Sequence, residues 1–228
     1  MLSSASSPQH AVLKAFLQRA ASRLAAEPPA ELLDLDRVPY HGDHRLSPEL
    51  LQERSLERSP TPAKPAAVLI AIIDRPDGPT VLFTQRSSAL RNHSGQVSFP
   101  GGRIDPGDDG PLDAALREAE EEIGLDRGLV HPIGYLDLYL SNSGYRIAPV
   151  VALVDAPPQF HLNPAEVAGI FECPLHFLMD QANHITESRE WRGIMRRYYA
   201  MPWQGYYIWG VTAGIVRALY ETLYGDAA

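Results

Sequence analysis

The chain predicts an α/β fold, a mixed β-sheet with helices packed on its faces, preceded by an N-terminal helical extension. Three observations carry that prediction. Two apolar runs of strand length, AAVLIAII at 66–73 and TVLFTQ at 80–85, flank a turn made by Pro76, Asp77, Gly78 and Pro79. A segment from Pro111 to Ile123 has a proline near its start and Gly124 just past its end, the usual bounds of a helix. Further short strands and helices then alternate to the C-terminus, an order that builds a sheet covered by helices.

Taken in order, residues 9–25 place Val12, Leu13, Phe16, Leu17 and Leu24 at helical spacing and read as an amphipathic helix. Pro28, Pro29, Pro39 and Pro48 mark an irregular stretch, and SPTPAKP at 59–65 reads as an extended connector. The expected division is therefore 1–63, a helical extension with a proline-rich connector, and 64–228, the main domain. The unbroken apolarity of 66–73 predicts a strand buried on both faces. A short strand near Gln96–Phe99 is followed by Pro-Gly-Gly, an Asp-rich loop and the 111–123 helix, with Asp109 and Asp113 as candidate caps of its first turn. Strands are expected near 130–139 and 145–154, a short helix at Leu175–Met179 after Pro174, and a closing helix over about Trp209–Leu223. The dense aromatics Tyr198, Tyr199, Trp203, Tyr206, Tyr207 and Trp209 read as core and dimer packing.

Composition narrows the function. The 228 residues are 45% hydrophobic and 21% charged, a globular balance that excludes a disordered or collagen-like chain. A net charge of −8 disfavours a general nucleic-acid binder. The single cysteine, Cys173, excludes an internal disulfide and a multi-cysteine zinc site, and reads as a small buried hydrophobe. No apolar run is long enough for a membrane span, and the first residues lack a signal peptide's apolar centre, so a cytoplasmic protein with no membrane partner is expected.

Most of the negative charge sits between Arg103 and Asp126, where nine acids face two arginines. Upstream, Val81–Gly102 contains no acid but carries Arg86, Arg91 and His93. In REAEEEIG (117–124), Glu118 and Glu122 are four apart and stack on one helix face, and Glu121 flanks it. Like charges so placed destabilise an isolated helix unless a cation neutralises them. An all-carboxylate set without Cys or His suits Mg²⁺ or Mn²⁺ rather than Zn²⁺. Arg117, four residues before Glu121, can hold that glutamate, while Glu120 points elsewhere. Gly101 and Gly102 permit close backbone approach, so a Gly-Gly turn opening onto this helix is a cradle for a metal-bound diphosphate.

GGRIDPGDDGPLDAALREAEEEIGL (101–125) resembles the Nudix box, G-x5-E-x7-RE-U-x-EE-x-G-U with U a bulky apolar residue. Arg117, Glu118, Glu121, Glu122, Gly124 and Leu125 match its second half, with Ala119 a small substitute for the first U. The first half departs: the box's first glutamate falls on Asp109 and its leading glycine on Arg103. Upstream, LFTQRSSALRNHSGQVSFPGG (82–102) is similar to the coenzyme A diphosphatase pattern L-L-T-x-R-S-x-x-x-R-x-H-x-G-Q-V-x-F-P-G-G, departing only at Phe83, and GYYIWGVTAGIVRAL (205–219) is similar to that branch's C-terminal region.

The resemblance implies a Nudix α/β/α sandwich and cleavage of coenzyme A, acyl-CoA or oxidised CoA to 4′-phosphopantetheine and adenosine 3′,5′-bisphosphate. It implies Glu118 and Glu122 as metal ligands, Glu121 as a third ligand or the group that orients or deprotonates water, and a small-molecule substrate. Arg86, Arg91 and His93 become candidates for gripping phosphates, with Gly101 and Gly102 against the diphosphate. Glu166 lies in NPAEVAGIFECPL, a segment where many Nudix enzymes supply a further acid from outside the box, but by itself it reads as a solvated loop residue. Competing readings are a Nudix hydrolase of another diphosphate, such as ADP-ribose or a dinucleotide, and a non-catalytic Nudix-like binding module. A homodimer is compatible with all three.

Overall fold

In a computed structural model, residues 8–32, 34, 37–51, 63–89, 93–155, 158–191 and 193–225 are described. Strand β2 (Lys64–Ile73) organises the sheet. Its residues alternate between faces: Ala67, Leu69, Ala71 and Ile73 enter one core, Ile70 and Ile72 the other. An unbroken apolar run is what two buried faces require. Along one edge, β8 (Tyr145–Val154) runs parallel to β2 in register from Lys64 opposite Tyr145 to Ile73 opposite Val154. The other edge is shared. β3 (Thr80–Arg86) returns antiparallel at Ile72–Ile73 after the expected turn, and β5 (Gly101–Arg103) pairs with Ala66–Val68. Residues 101–103 are thus a strand, where the sequence suggested only loop. Strands β4 (Val97–Ser98) and β9 (Val167–Pro174) flank β3, while β6 (Val130–Tyr135) and β7 (Tyr139–Leu140) share the far edge of β8. A two-residue β1 (His41–Gly42) lies parallel to β7.

Helix α2 (Pro111–Ile123) lies on one face of this mixed sheet, burying Ala114, Ala115, Ala119 and Ile123 against Leu69, Ala71, Val150 and Ala152. Helices α1 (Pro8–Arg23) and α4 (Gly210–Tyr224) cover the other face, where Leu13, Phe16 and Ala20 join Ile215, Leu219 and Leu223 over Ile70, Phe83 and Val151. Three layers result, the Nudix α/β/α sandwich with its N-terminal helix. That helix is integral to the core: Phe16 is fully buried, the Arg19 guanidinium donates to the Leu223 carbonyl at 3.3 Å, and Ala25 and Tyr135 exchange backbone hydrogen bonds. Asp109 and Asp113 do not cap α2. Gly110 is its N-cap without a side-chain bond, and Asp113 instead accepts from the Asp109 N–H at 3.2 Å. Gly124 closes the helix at φ 65°, the left-handed conformation that favours glycine.

After the short helix α3 (Leu175–Leu178), β10 (Ile185–Trp191), β11 (Ile194–Trp203) and β12 (Tyr206–Trp209) form an antiparallel meander. The sequence reading assigned no element there. Tyr206 stacks on Phe171 with ring centroids 3.7 Å apart and Trp203 packs on Phe177, so part of the aromatic cluster ties this small sheet to the main core. Among the described residues no helix is long and apolar enough to cross a membrane.

Candidate active site

The β2–β5 pairing presses the Gly101–Gly102 backbone against α2. At Gly101, φ is 150° and a side chain's first carbon would sit 2.4 Å from the Ala67 carbonyl oxygen. At Gly102 it would sit 2.4 Å from the Glu118 carboxyl carbon. Only glycines allow strand and acidic helix to meet this closely. The Gly101 N–H donates to Glu122 Oε2 at 3.2 Å, which fixes the second carboxylate one turn beyond the first.

Glu122 is 2% exposed. Burial pushes its pKa up to about 7; the Gly101 N–H and Arg86 oppose the shift, while Glu118 and Glu166 add to it. Burial likewise raises Glu118, against the hydrogen bond from Arg117. The pair is therefore a desolvated, mutually repelling anion site at the sheet–helix junction.

Arg117 holds the surrounding acids in place. Its guanidinium grips Asp108 with two bonds, Nε to Oδ1 at 2.8 Å and Nη2 to Oδ2 at 3.1 Å, and donates to the Arg103 carbonyl at 3.0 Å. It also reaches Glu118 at 3.0 Å and Glu121 at 3.3 Å. Asp108, rather than the Asp109 on which the box's first glutamate falls, is thus the loop acid that Arg117 grips. Counting along the motif missed this because the loop between glycines and helix has a different length, and spacing does not reveal which aspartate turns inward.

Arg86, at the end of β3, lies 4.0 Å from Glu122 Oε1, and its buried Nε has no hydrogen-bond partner. The fold therefore gathers Glu118, Glu122, Gly101, Gly102 and Arg86. Glu121 stands on the flank, its side chain 54% exposed. His93 is exposed in a turn at φ 57°, its Nδ1 2.9 Å from Gln96 Oε1, and Ser94 bonds the Ser88 carbonyl. Arg91 lies outside the described residues. Glu166, in the turn before β9, is half-buried and bonded by Asn163 at 3.3 Å, and its charge acts on both Glu118 and Glu122. No local motif announces it, since the β3–β9 pairing delivers it from far along the chain, with the Ser87 N–H donating to its carbonyl at 2.8 Å.

Among the described residues, no three acidic, imidazole or thiol groups are gathered closely enough to hold a metal as they stand. The donor chemistry nevertheless fits a hard divalent ion: half-buried Glu118 and buried Glu122, within the electrostatic reach of Glu166, offer only oxygen, and among the described residues the cations acting on them are Arg86 and Arg117. A cavity of about 80 Å³ lies elsewhere, lined by His41, Arg45, Tyr199, Arg217 and Glu221. Arg45 and Arg217 there already bond Glu221 at 2.7 and 2.8 Å.

A helix of carboxylates set against a glycine turn, in an α/β/α sandwich, defines the Nudix class of hydrolases. A family model described as NUDIX domain matches residues 63–192. An uncharacterized Nudix hydrolase NudL of Yersinia pestis is 46% identical over 154 residues, covering 68% of this chain and 77% of its own. NudL of Yersinia pseudotuberculosis matches to the same extent. Among solved structures, an Ap4A hydrolase of C. elegans aligns with 49% of this chain and 80% of its own at 22% identity and a TM-score of 0.43. The chain belongs to the Nudix hydrolase family, whose members generally use divalent metals and act on small molecules.

Proposed function

We propose that the protein is a Mg²⁺- or Mn²⁺-dependent coenzyme A diphosphatase, releasing 4′-phosphopantetheine and adenosine 3′,5′-bisphosphate. The observation that carries the reading is Arg86. It belongs to the Leu82–Gly102 segment that resembles the coenzyme A branch, and it meets the box carboxylates, 4.0 Å from Glu122, with an unpartnered Nε.

A diphosphate bridge is doubly charged and repels a water nucleophile. In this reading the forked Arg86 guanidinium binds a phosphate oxygen and orients the bridge over Gly101 and Gly102, whose bare backbone leaves room for it. Glu118 and Glu122 would hold the divalent cation, which when bound neutralises phosphate charge and acidifies water. Glu121 and Glu166 flank that pair as the carboxylates available to order the water and take its proton. Arg117, fixed by Asp108, keeps Glu118 and Glu121 in position. Arg91 and His93 remain candidates for the 3′-phosphate.

The test is hydrolysis of coenzyme A by the purified chain, with and without Mg²⁺ or Mn²⁺, the products identified by mass. Metal-dependent release of the two phosphomonoesters is expected, and Glu122→Gln removes nearly all of it while leaving the fold intact. Turnover of ADP-ribose or a dinucleotide with coenzyme A untouched overturns the substrate assignment. Wild-type activity in Glu122→Gln overturns the ligand assignment.

A further inference from the structure

The meander of β10, β11 and β12 ends in an open edge. β10 pairs with β11 across all seven of its residues without a bulge, and among the described residues nothing pairs with its other side. A regular edge of this length is a template for another strand, and proteins usually block such edges with charged side chains, lysine above all, with proline or with a bulge. β10, ITESREW, has no lysine, proline or bulge. Its charges remain, and their order is self-complementary.

Set antiparallel to an identical strand about a twofold axis through Ser188, β10 brings Glu187 opposite Arg189 and Arg189 opposite Glu187, with Thr186 opposite Glu190. Sliding by two residues keeps the same faces together, but sets either Glu187 or Arg189 opposite itself. Directly opposed unlike charges stabilise an antiparallel pair and like charges destabilise it, so the charge order selects one register. The partners are poised for it. Glu187 Oε2 accepts from Tyr198 at 3.2 Å and Tyr207 at 2.5 Å, which orients the carboxylate and leaves its other oxygen without a hydrogen bond among the described residues. Arg189 is exposed.

We propose that this edge is a self-association surface: two copies of the chain pair their β10 strands antiparallel about Ser188, joining the two meanders into one continuous sheet. The contact is isologous, so each Glu187–Arg189 pair occurs twice. Backbone hydrogen bonds supply affinity and the charge pairs supply register. A strand edge is a narrow contact, so the dimer is concentration-dependent and weakens with salt. The proposal is independent of the substrate assignment.

Sedimentation equilibrium of the full chain, from low micromolar to the highest soluble concentration at low ionic strength, reads the association. Reversible dimerisation is expected. Arg189→Glu, which opposes glutamate to glutamate twice, weakens it by about tenfold or more. The double swap E187R/R189E restores it, and the two single variants E187R and R189E mixed together form a heterodimer while each alone stays monomeric. A wild-type monomer at every concentration overturns the proposal, as does a dimer that Arg189→Glu leaves unchanged or a swap that recovers nothing. Melting curves report the fold of each variant. If Arg189→Glu is destabilised, Arg189→Ala takes its place, and an alanine variant dimerising as tightly as wild type overturns the proposal.

Discussion

Two adjacent glycines illustrate how differently neighbouring residues serve the site. At Gly101 an added methyl meets the backbone of β2, 2.4 Å from the Ala67 carbonyl and 2.7 Å from Val68 Cα, at a φ that side chains rarely adopt. At Gly102 the nearest atoms are those at the end of the Glu118 side chain, 2.4 to 2.6 Å away. Gly101→Ala is therefore expected to destabilise the fold by about 2 kcal/mol or more. Gly102→Ala should keep the melting temperature nearly unchanged while displacing Glu118 and lowering kcat by about 100-fold. Paired melting and turnover measurements check the contrast, and equal loss of stability in both variants refutes it. Asp108 carries a pH signature. Its hydrogen bonds from Arg117 hold its pKa below the ordinary 3.8, so the pair stabilises the fold above that value and the contribution fades as pH falls through the depressed pKa. Asp108→Asn should cost about 2 kcal/mol near neutrality and progressively less below about pH 4. A deficit independent of pH, followed by denaturant titration, assigns the loss to packing instead. Glu118 and Glu122 were legible because helical spacing alone stacks them on one face, with Glu121 on its flank. Asp108 was not, because its place is set by a loop's path, and the position of Glu166 was named only through the family resemblance, because a strand pairing delivers it.

The elements most clearly written in the chain are those whose burial is one-sided or total. β2 announced itself as an unbroken apolar run, α2 by its proline and glycine bounds, and both formed as expected. The meander of β10 to β12 escaped notice because much of it faces solvent. Ile185–Trp191 alternates no apolar stripe, and Ile194–Trp203 mixes arginines with tyrosines, so neither period stands out. β5 was hidden for another reason: three residues led by two glycines carry no strand propensity, and only pairing with β2 makes them one. Helix α1 was expected, but its role was open; the structure packs it on α4 and the sheet. Phe16→Ala should then cost about 3–5 kcal/mol, as for any fully buried aromatic. Chemical denaturation measures it, and a loss below about 1 kcal/mol would mean that α1 is only loosely docked.

The whole molecule separates its tasks by face, with the carboxylate cluster on the α2 side and a largely apolar core under α1 and α4, crossed by the Tyr139–Asp43 and Thr212–Val97 hydrogen bonds. Cys173 lies in that second core, fully buried, its thiol pushed up to about 12 by desolvation. As the chain's single cysteine, it is expected to resist a thiol-reactive disulfide reagent in buffer and to become reactive along the same denaturant curve that tracks unfolding. Rapid labelling of the native protein would reveal local opening of β9 instead.

The parallel ladder of β2 and β8 has a kinetic consequence. It joins Lys64–Ile73 to Tyr145–Val154, and the whole carboxylate helix lies in the loop between them. Ordering that loop's ends is an entropic barrier that must be crossed before the ladder returns any contact energy, and it grows only slowly with the length enclosed. Insertions beside the carboxylate helix therefore leave the nucleation barrier almost unchanged. A glycine–helix spacing one residue off the common pattern can thus persist without slowing the chain's assembly.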